Sequence, residues 1–110
     1  MMVTIDPKRT GVKASMIPFT QPPMYYDERN RLCGPIGTLV GNIQVAGNDI
    51  VQWILCCPGC GEAGSPMAGK KWQIVSGSVE DVTTLTLSPS IQKSCCGWHG
   101  HLKAGIFESC

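Results

Sequence analysis

Cys56-Cys57-Pro58-Gly59-Cys60-Gly61 is the stretch that decides how this chain folds, and it is answered by Cys95-Cys96-Gly97-Trp98-His99-Gly100-His101. Each holds a pair of metal-type ligands with two residues between them: Cys57 and Cys60 in the first, Cys96 and His99 in the second. That spacing suits a tight turn whose two side chains point to one centre. Pro58 pre-sets its own φ, and Gly59 and Gly61 tolerate the positive φ that lets backbone amides face the sulfurs. Two such turns supply four ligands of soft or borderline character, which is the demand of tetrahedral Zn²⁺. The expected metal set is therefore Cys57, Cys60, Cys96 and His99, around a structural Zn²⁺.

Other cysteines and histidines compete for the same positions. Cys56 adjoins Cys57 and Cys95 adjoins Cys96, but neighbours on an extended strand face opposite ways. Cys60 selects Cys57 by the CxxC spacing, and His99 selects Cys96 by CxxH. Cys95 with His99 at CxxxH spacing stays open, and His101 is the main rival to His99. Otherwise Cys56 and Cys95 read as small buried hydrophobes or as a redox pair beside the site. Trp98, between two ligands, is expected to cover the metal and keep water out.

Composition sets the outer bounds. A chain of 110 residues makes one small domain with a modest core. Its nine Lys and Arg against eight Asp and Glu leave no positive field to gather nucleic acid. The start, MMVTIDPKRT, lacks the apolar core of a signal peptide, and no apolar run reaches the length of a membrane span. Seven cysteines without an export signal favour metal ligation in a reducing compartment over a disulfide framework. The expected location is a host cytoplasm or a virion. Outside a cell, Cys33 and Cys110 would be the cysteines to watch.

Residues 1–36 read as an extended, proline-rich arm, with apolar residues placed singly (Val3, Ile5, Val12, Ile17, Phe19) among Pro7, Pro18, Pro22, Pro23 and Pro35. Met24-Tyr25-Tyr26 is its one concentrated apolar patch, either packed on the domain's own sheet or docked on a partner. From Gly37 the pattern becomes that of short strands. Gly47-Asn48-Asp49 supplies a turn, and Ile50 to Leu55 is rich in strand formers. Glu62 to Gly69 is a loop, Trp72-Gln73-Ile74-Val75 starts a strand, and Val82 to Leu87 alternates Thr with Val and Leu. Pro89 ends that strand. His101-Leu102 and Ile106-Phe107 flank a compact turn at Lys103-Ala104-Gly105. No segment has helical periodicity. The predicted fold is all-β: a small zinc-ribbon-like domain of antiparallel hairpins over residues 37–110, preceded by the arm.

CPGCG, Trp72 to Gly77, Leu87-Ser88-Pro89-Ser90-Ile91 and CGWHGHLKAGIF together resemble a family of small zinc-binding proteins of tailed phages and bacteria. Some of these carry the label ammonia monooxygenase, a membrane-bound oxidase that a chain without an apolar span does not support. The resemblance covers roughly residues 55–108 and leaves the arm outside. It implies metal ligands at Cys57, Cys60, Cys96 and His99 and a phage or prophage origin. Some bacterial relatives resemble components encoded near ubiquitin-like conjugation systems.

A closed four-ligand shell leaves no open position for substrate or water. The acidic residues fall in no metallohydrolase motif. The expectation is thus a non-enzymatic module with no catalytic residues, binding a phage or host protein through Met24, Tyr25 and Tyr26. It would act as a virion accessory protein or a modulator of a host system, and a homo-oligomer is compatible with it. The competing expectation is a zinc-dependent hydrolase with His101 or Glu62 as base.

Overall fold

The structure is a computed structural model that describes residues 5–17, 24–26, 28–65 and 72–110. Val3, Phe19, the prolines at 18, 22 and 23, and the distal part of the 62–69 loop lie outside the described residues. Among the described residues there is no helix, and every regular element is a strand.

Two sheets and one small ribbon make up the fold. The larger sheet holds β2 (Ser15–Ile17), β5 (Thr38–Ala46), β6 (Asp49–Cys56), β8 (Trp72–Ser78) and β9 (Asp81–Ser88) in that order, with β7 (Ala63–Gly64) also paired to β6. The smaller runs β1 (Val12–Lys13), β12 (Ile106–Ser109), β11 (His99–Lys103), β10 (Ile91–Gln92). A ribbon of β3 (Tyr25–Tyr26) and β4 (Leu32–Cys33) stands apart. All pairings are antiparallel except β2 with β5. The expected domain of short antiparallel hairpins is what the chain forms.

The hairpins follow from their turn residues. Ala46 pairs with Asp49 across a two-residue Gly47-Asn48 loop, with Gly47 at φ 63°. Lys103 pairs with Ile106 across Ala104 and Gly105, at φ 47° and 76°. Two successive positive φ values are those of a turn whose twist matches that of the flanking strands. Gly105 meets a second demand as well: a Cβ there would run into the Thr83 backbone carbonyl. The turn is docked on β9, where Gly105 N–H donates to the Leu85 carbonyl at 2.9 Å and Ala104 N–H to Thr86 Oγ1 at 2.8 Å.

Alternation then fills the space between the sheets. Val82, Leu85 and Leu87 of β9 point inward, as do Leu102 of β11 and Phe107 of β12. Trp53 and Trp72 meet edge to face at 5.6 Å, and Trp98 and Phe107 likewise at 6.0 Å. Residues 5–17 are lashed across this body. Val12 pairs with Phe107, Ser15 pairs with Thr38, and the buried Ala14 between them donates to the Gly105 carbonyl at 2.7 Å. The stretch read as an arm thus lends one strand to each sheet.

Candidate active site and cysteine cluster

The first knuckle is the turn that leaves β6. Gly61 N–H donates to the Cys57 carbonyl at 2.8 Å, Cys57 N–H to the Glu62 carbonyl at 2.9 Å, and Gly59 N–H to the Cys57 sulfur at 3.3 Å. The second is the turn of the β10–β11 hairpin. Gly97 N–H donates to the Lys93 carbonyl at 3.1 Å, and Lys93 N–H to the Trp98 carbonyl at 2.9 Å. The knuckles meet tightly: a Cβ on Gly59 would lie 2.7 Å from Cys96 Sγ. Cys57 Sγ is 3.6 Å from Cys96 Sγ, and Cys60 Sγ is 3.3 Å from Cys95 Sγ. The four sulfurs all lie within 4.8 Å of one another.

The cluster is Cys57, Cys60, Cys95 and Cys96, so Cys95 stands where His99 was expected. The reason is local. Residues 94–96 form a turn rather than a strand, so strand alternation does not separate Cys95 from Cys96. His99 opens β11 on the face turned to solvent, away from the sulfurs. Cys56 behaves as alternation predicts: it ends β6, pointing to Gly34 and Met24 rather than to the cluster. Burial pushes its thiol up to about 11. Within the cluster the protons are shared unevenly. Hydrogen bonding to Cys60, then to Cys95, pushes the Cys57 thiol up, whereas hydrogen bonding to Cys57, then to Cys95, holds the Cys60 thiol down. Trp98 is wholly buried beside Gly59, and its indole N–H donates to the Arg9 carbonyl at 2.8 Å.

His99 has a different partner. Its Nε2 lies 2.8 Å from Ser90 Oγ, across the β10–β11 hairpin. Ser90 follows the cis Ser88–Pro89 bond by which the chain leaves β9, and its carbonyl accepts from the Trp72 indole at 3.4 Å. A serine hydroxyl within hydrogen-bond reach of an imidazole is the arrangement in which acyl transfer pairs a nucleophile with a general base. His101, two residues along on the same exposed face, is 3.7 Å from Cys110 Sγ and lies across from Glu108. Glu62 is ion-paired to Arg31 at 2.7 Å. Met24 flanks Gly34, Tyr25 pairs with Cys33, and Tyr26 is 68% exposed.

Fold and site together define a small β domain, braced by a cluster of four cysteines, that carries a serine–histidine pair on its open face. The family model of BubE, described as bacterial ubiquitination-like system serine protease, matches residues 36–110, and the chain belongs to that family. No curated protein and no solved structure matches it. Membership in a serine protease family overturns the expectation of a non-enzymatic module, which rested on a closed four-ligand shell and on acidic residues that fall in no metallohydrolase motif. Ser90 was legible only as part of SPSI, next to the proline that ends a strand. The signal that finds it is hairpin register: alternation through residues 90–92 and 99–101 puts Ser90, Gln92, His99 and His101 on one face.

Proposed function

We propose that the chain is a serine hydrolase of a bacterial ubiquitination-like system, cleaving an acyl bond of a polypeptide with Ser90 as nucleophile and His99 as base. The 2.8 Å contact between Ser90 Oγ and His99 Nε2 carries this reading, and the family description supports it. Ser90 Oγ attacks the substrate carbonyl carbon while its proton passes to His99 Nε2. The C–N bond then breaks, and His99 returns the proton to the departing amine. Water, deprotonated by the same imidazole, attacks the acyl-serine ester and releases the acid, with the proton going back to Ser90 Oγ. Every step uses protons and electron pairs already present in enzyme, substrate and water.

The cysteine cluster has a separate task. Four thiols within 4.8 Å, with a backbone amide aimed at one sulfur, fit a tetrathiolate Zn²⁺ held by Cys57, Cys60, Cys95 and Cys96. Such a shell is closed and supplies cross-linking rather than Lewis acidity. Its second half is the turn of the hairpin whose arms carry Ser90 and His99, so the metal would fix the register between them.

A fluorophosphonate probe tests the assignment. The parent chain is expected to become covalently labelled on Ser90, and Ser90→Ala and His99→Ala to lose labelling while keeping their thermal midpoint. Labelling of Ser90→Ala at the parent rate would sink the nucleophile.

A further inference from the structure

We propose that the side-chain amide of Gln92 is the oxyanion donor of this site, binding the negative charge that develops on the substrate carbonyl oxygen. The inference rests on Ser90 being the nucleophile. It comes from the register of the β10–β11 hairpin, which pairs Gln92 with His99 and Ile91 with Gly100.

Backbone hydrogen bonds fix what faces what. Lys93 N–H donates to the Trp98 carbonyl, whereas the His99 carbonyl accepts from Cys110 N–H on the other side of β11. The Gln92–His99 pair is therefore the non-hydrogen-bonded kind, in which the two side chains come closest, about 5 Å between Cβ atoms. Ser90 shares that face, since its hydroxyl reaches the His99 imidazole. Ile91 between them points the opposite way and is fully buried. A strand rises about 3.3 Å per residue, so Ser90 and Gln92 stand about 7 Å apart along it. The flexible Gln side chain rises from the same face and can turn its N–H₂ toward the carbonyl that Ser90 Oγ would attack.

Two backbone donors of this strand are spent. Ile91 N–H belongs to the ladder with Gly100, and Lys93 N–H is bonded to Trp98. His101 is turned to Cys110. Gln92 is half-buried, and among the described residues no hydrogen bond engages its side chain. A partly desolvated, uncommitted amide beside a nucleophile is worth more to a developing oxyanion than the same group in water.

The test uses the full zinc-loaded chain and a fluorophosphonate. In that reaction Ser90 Oγ bonds to phosphorus, the P–F bond breaks, and the serine proton leaves through His99 with fluoride. The phosphoryl oxygen occupies the oxyanion position. Gln92→Met keeps the length of the side chain and removes the donor, and Gln92→Glu replaces it with a charge that repels the oxyanion. Both are expected to label about 10²-fold more slowly than the parent. Turnover of p-nitrophenyl acetate should lose kcat with KM nearly unchanged, and zinc content and thermal midpoint should hold. Labelling of Gln92→Met within about threefold of the parent overturns the proposal. So does slow labelling accompanied in both variants by a lowered midpoint, because the role is then structural. Labelling of Ser90→Ala at the parent rate, or no labelling of the parent, defeats the nucleophile and this inference with it.

Discussion

Residues 93–98 and the strands that flank them belong to one hairpin, yet its two parts face different surroundings. The turn points its cysteines toward a second turn, where the sulfurs lie packed against Trp98 and Gly59. The arms point Ser90, Gln92, His99 and His101 outward. Four thiols gathered between two turns, Cys57 and Cys60 buried and Cys95 and Cys96 half-buried, could hold a metal ion, while a hydroxyl and an imidazole within reach of solvent leave room for a substrate. The difference teaches that two stretches so close in sequence do separate work because a turn and a strand orient consecutive side chains by different rules. The coupling is expected to run one way: losing the turn should loosen the arms, whereas losing Ser90 should leave the turn intact.

The most damaging way to break this arrangement is to remove the cysteine cluster. Structural zinc sites contribute about 10–16 kcal/mol in small peptides, comparable to the whole stability of a domain. Cys57→Ser, or a strong chelator, is expected to unfold the chain and abolish fluorophosphonate labelling as a consequence, read by circular dichroism and by labelling on the same sample. A chelated chain that stayed folded and reactive would separate the cluster from the hairpin and contradict the coupling.

Removing Ser90 should do the converse. Ser90→Ala is expected to lower hydrolysis by about 10⁴-fold or more, the scale seen when an acyl-transfer nucleophile is deleted, with zinc content and thermal midpoint unchanged. Hydrolysis surviving at more than about a tenth of the parent rate would shift the chemistry elsewhere on the face.

The far end of the same sheet offers a third contrast, in stability alone. Gly105 needs both its left-handed φ of 76° and the space where Thr83 backbone approaches. Gly105→Ala is expected to cost about 2–4 kcal/mol. Gly47→Ala, at φ 63° with nothing within 4 Å of its Cβ, should cost only about 1–2 kcal/mol. Urea denaturation of the two variants measures the difference, and equal losses would mean that the docking of the β11–β12 turn on β9 adds nothing.

The fold was legible because strand formers, turn residues and alternation agree. Ile50 to Leu55 and Val82 to Leu87 form strands, and Ala104-Gly105 forms a tight turn. Three of the four clustered cysteines followed from spacing. Cys95 did not, because assigning it required knowing that residues 94–96 curl rather than extend. CxxH spacing made His99 an expected ligand, although it opens β11 on the exposed face and lies outside the cluster of sulfurs. Ser90 was hidden for a related reason: nothing in the order of residues reveals that position 90 meets position 99 until the hairpin register is known. Spacing within a turn is readable from sequence, but pairing across a hairpin depends on how the turn is built.

The smallest expected effect concerns Glu62, which lies beside the first knuckle and was a candidate base for metal-assisted hydrolysis. In the structure its carboxylate is committed to Arg31 at 2.7 Å, with the two side chains 28% and 27% exposed. The pair joins the loop after the first knuckle to the start of β4, where Cys33 bridges to Glu62 through the backbone. The pair is part-buried, but Gln still offers Arg31 an acceptor, so Glu62→Gln should cost about 1 kcal/mol, and less at high salt. Its effect on hydrolysis should be within about twofold, because the proton that Ser90 gives up has a nearer acceptor in His99. A pH–rate profile of this variant that kept its shape would assign the base to the outer face. Loss of the acidic limb together with activity would return the chemistry to the knuckle and reverse the division of labour between the two sites.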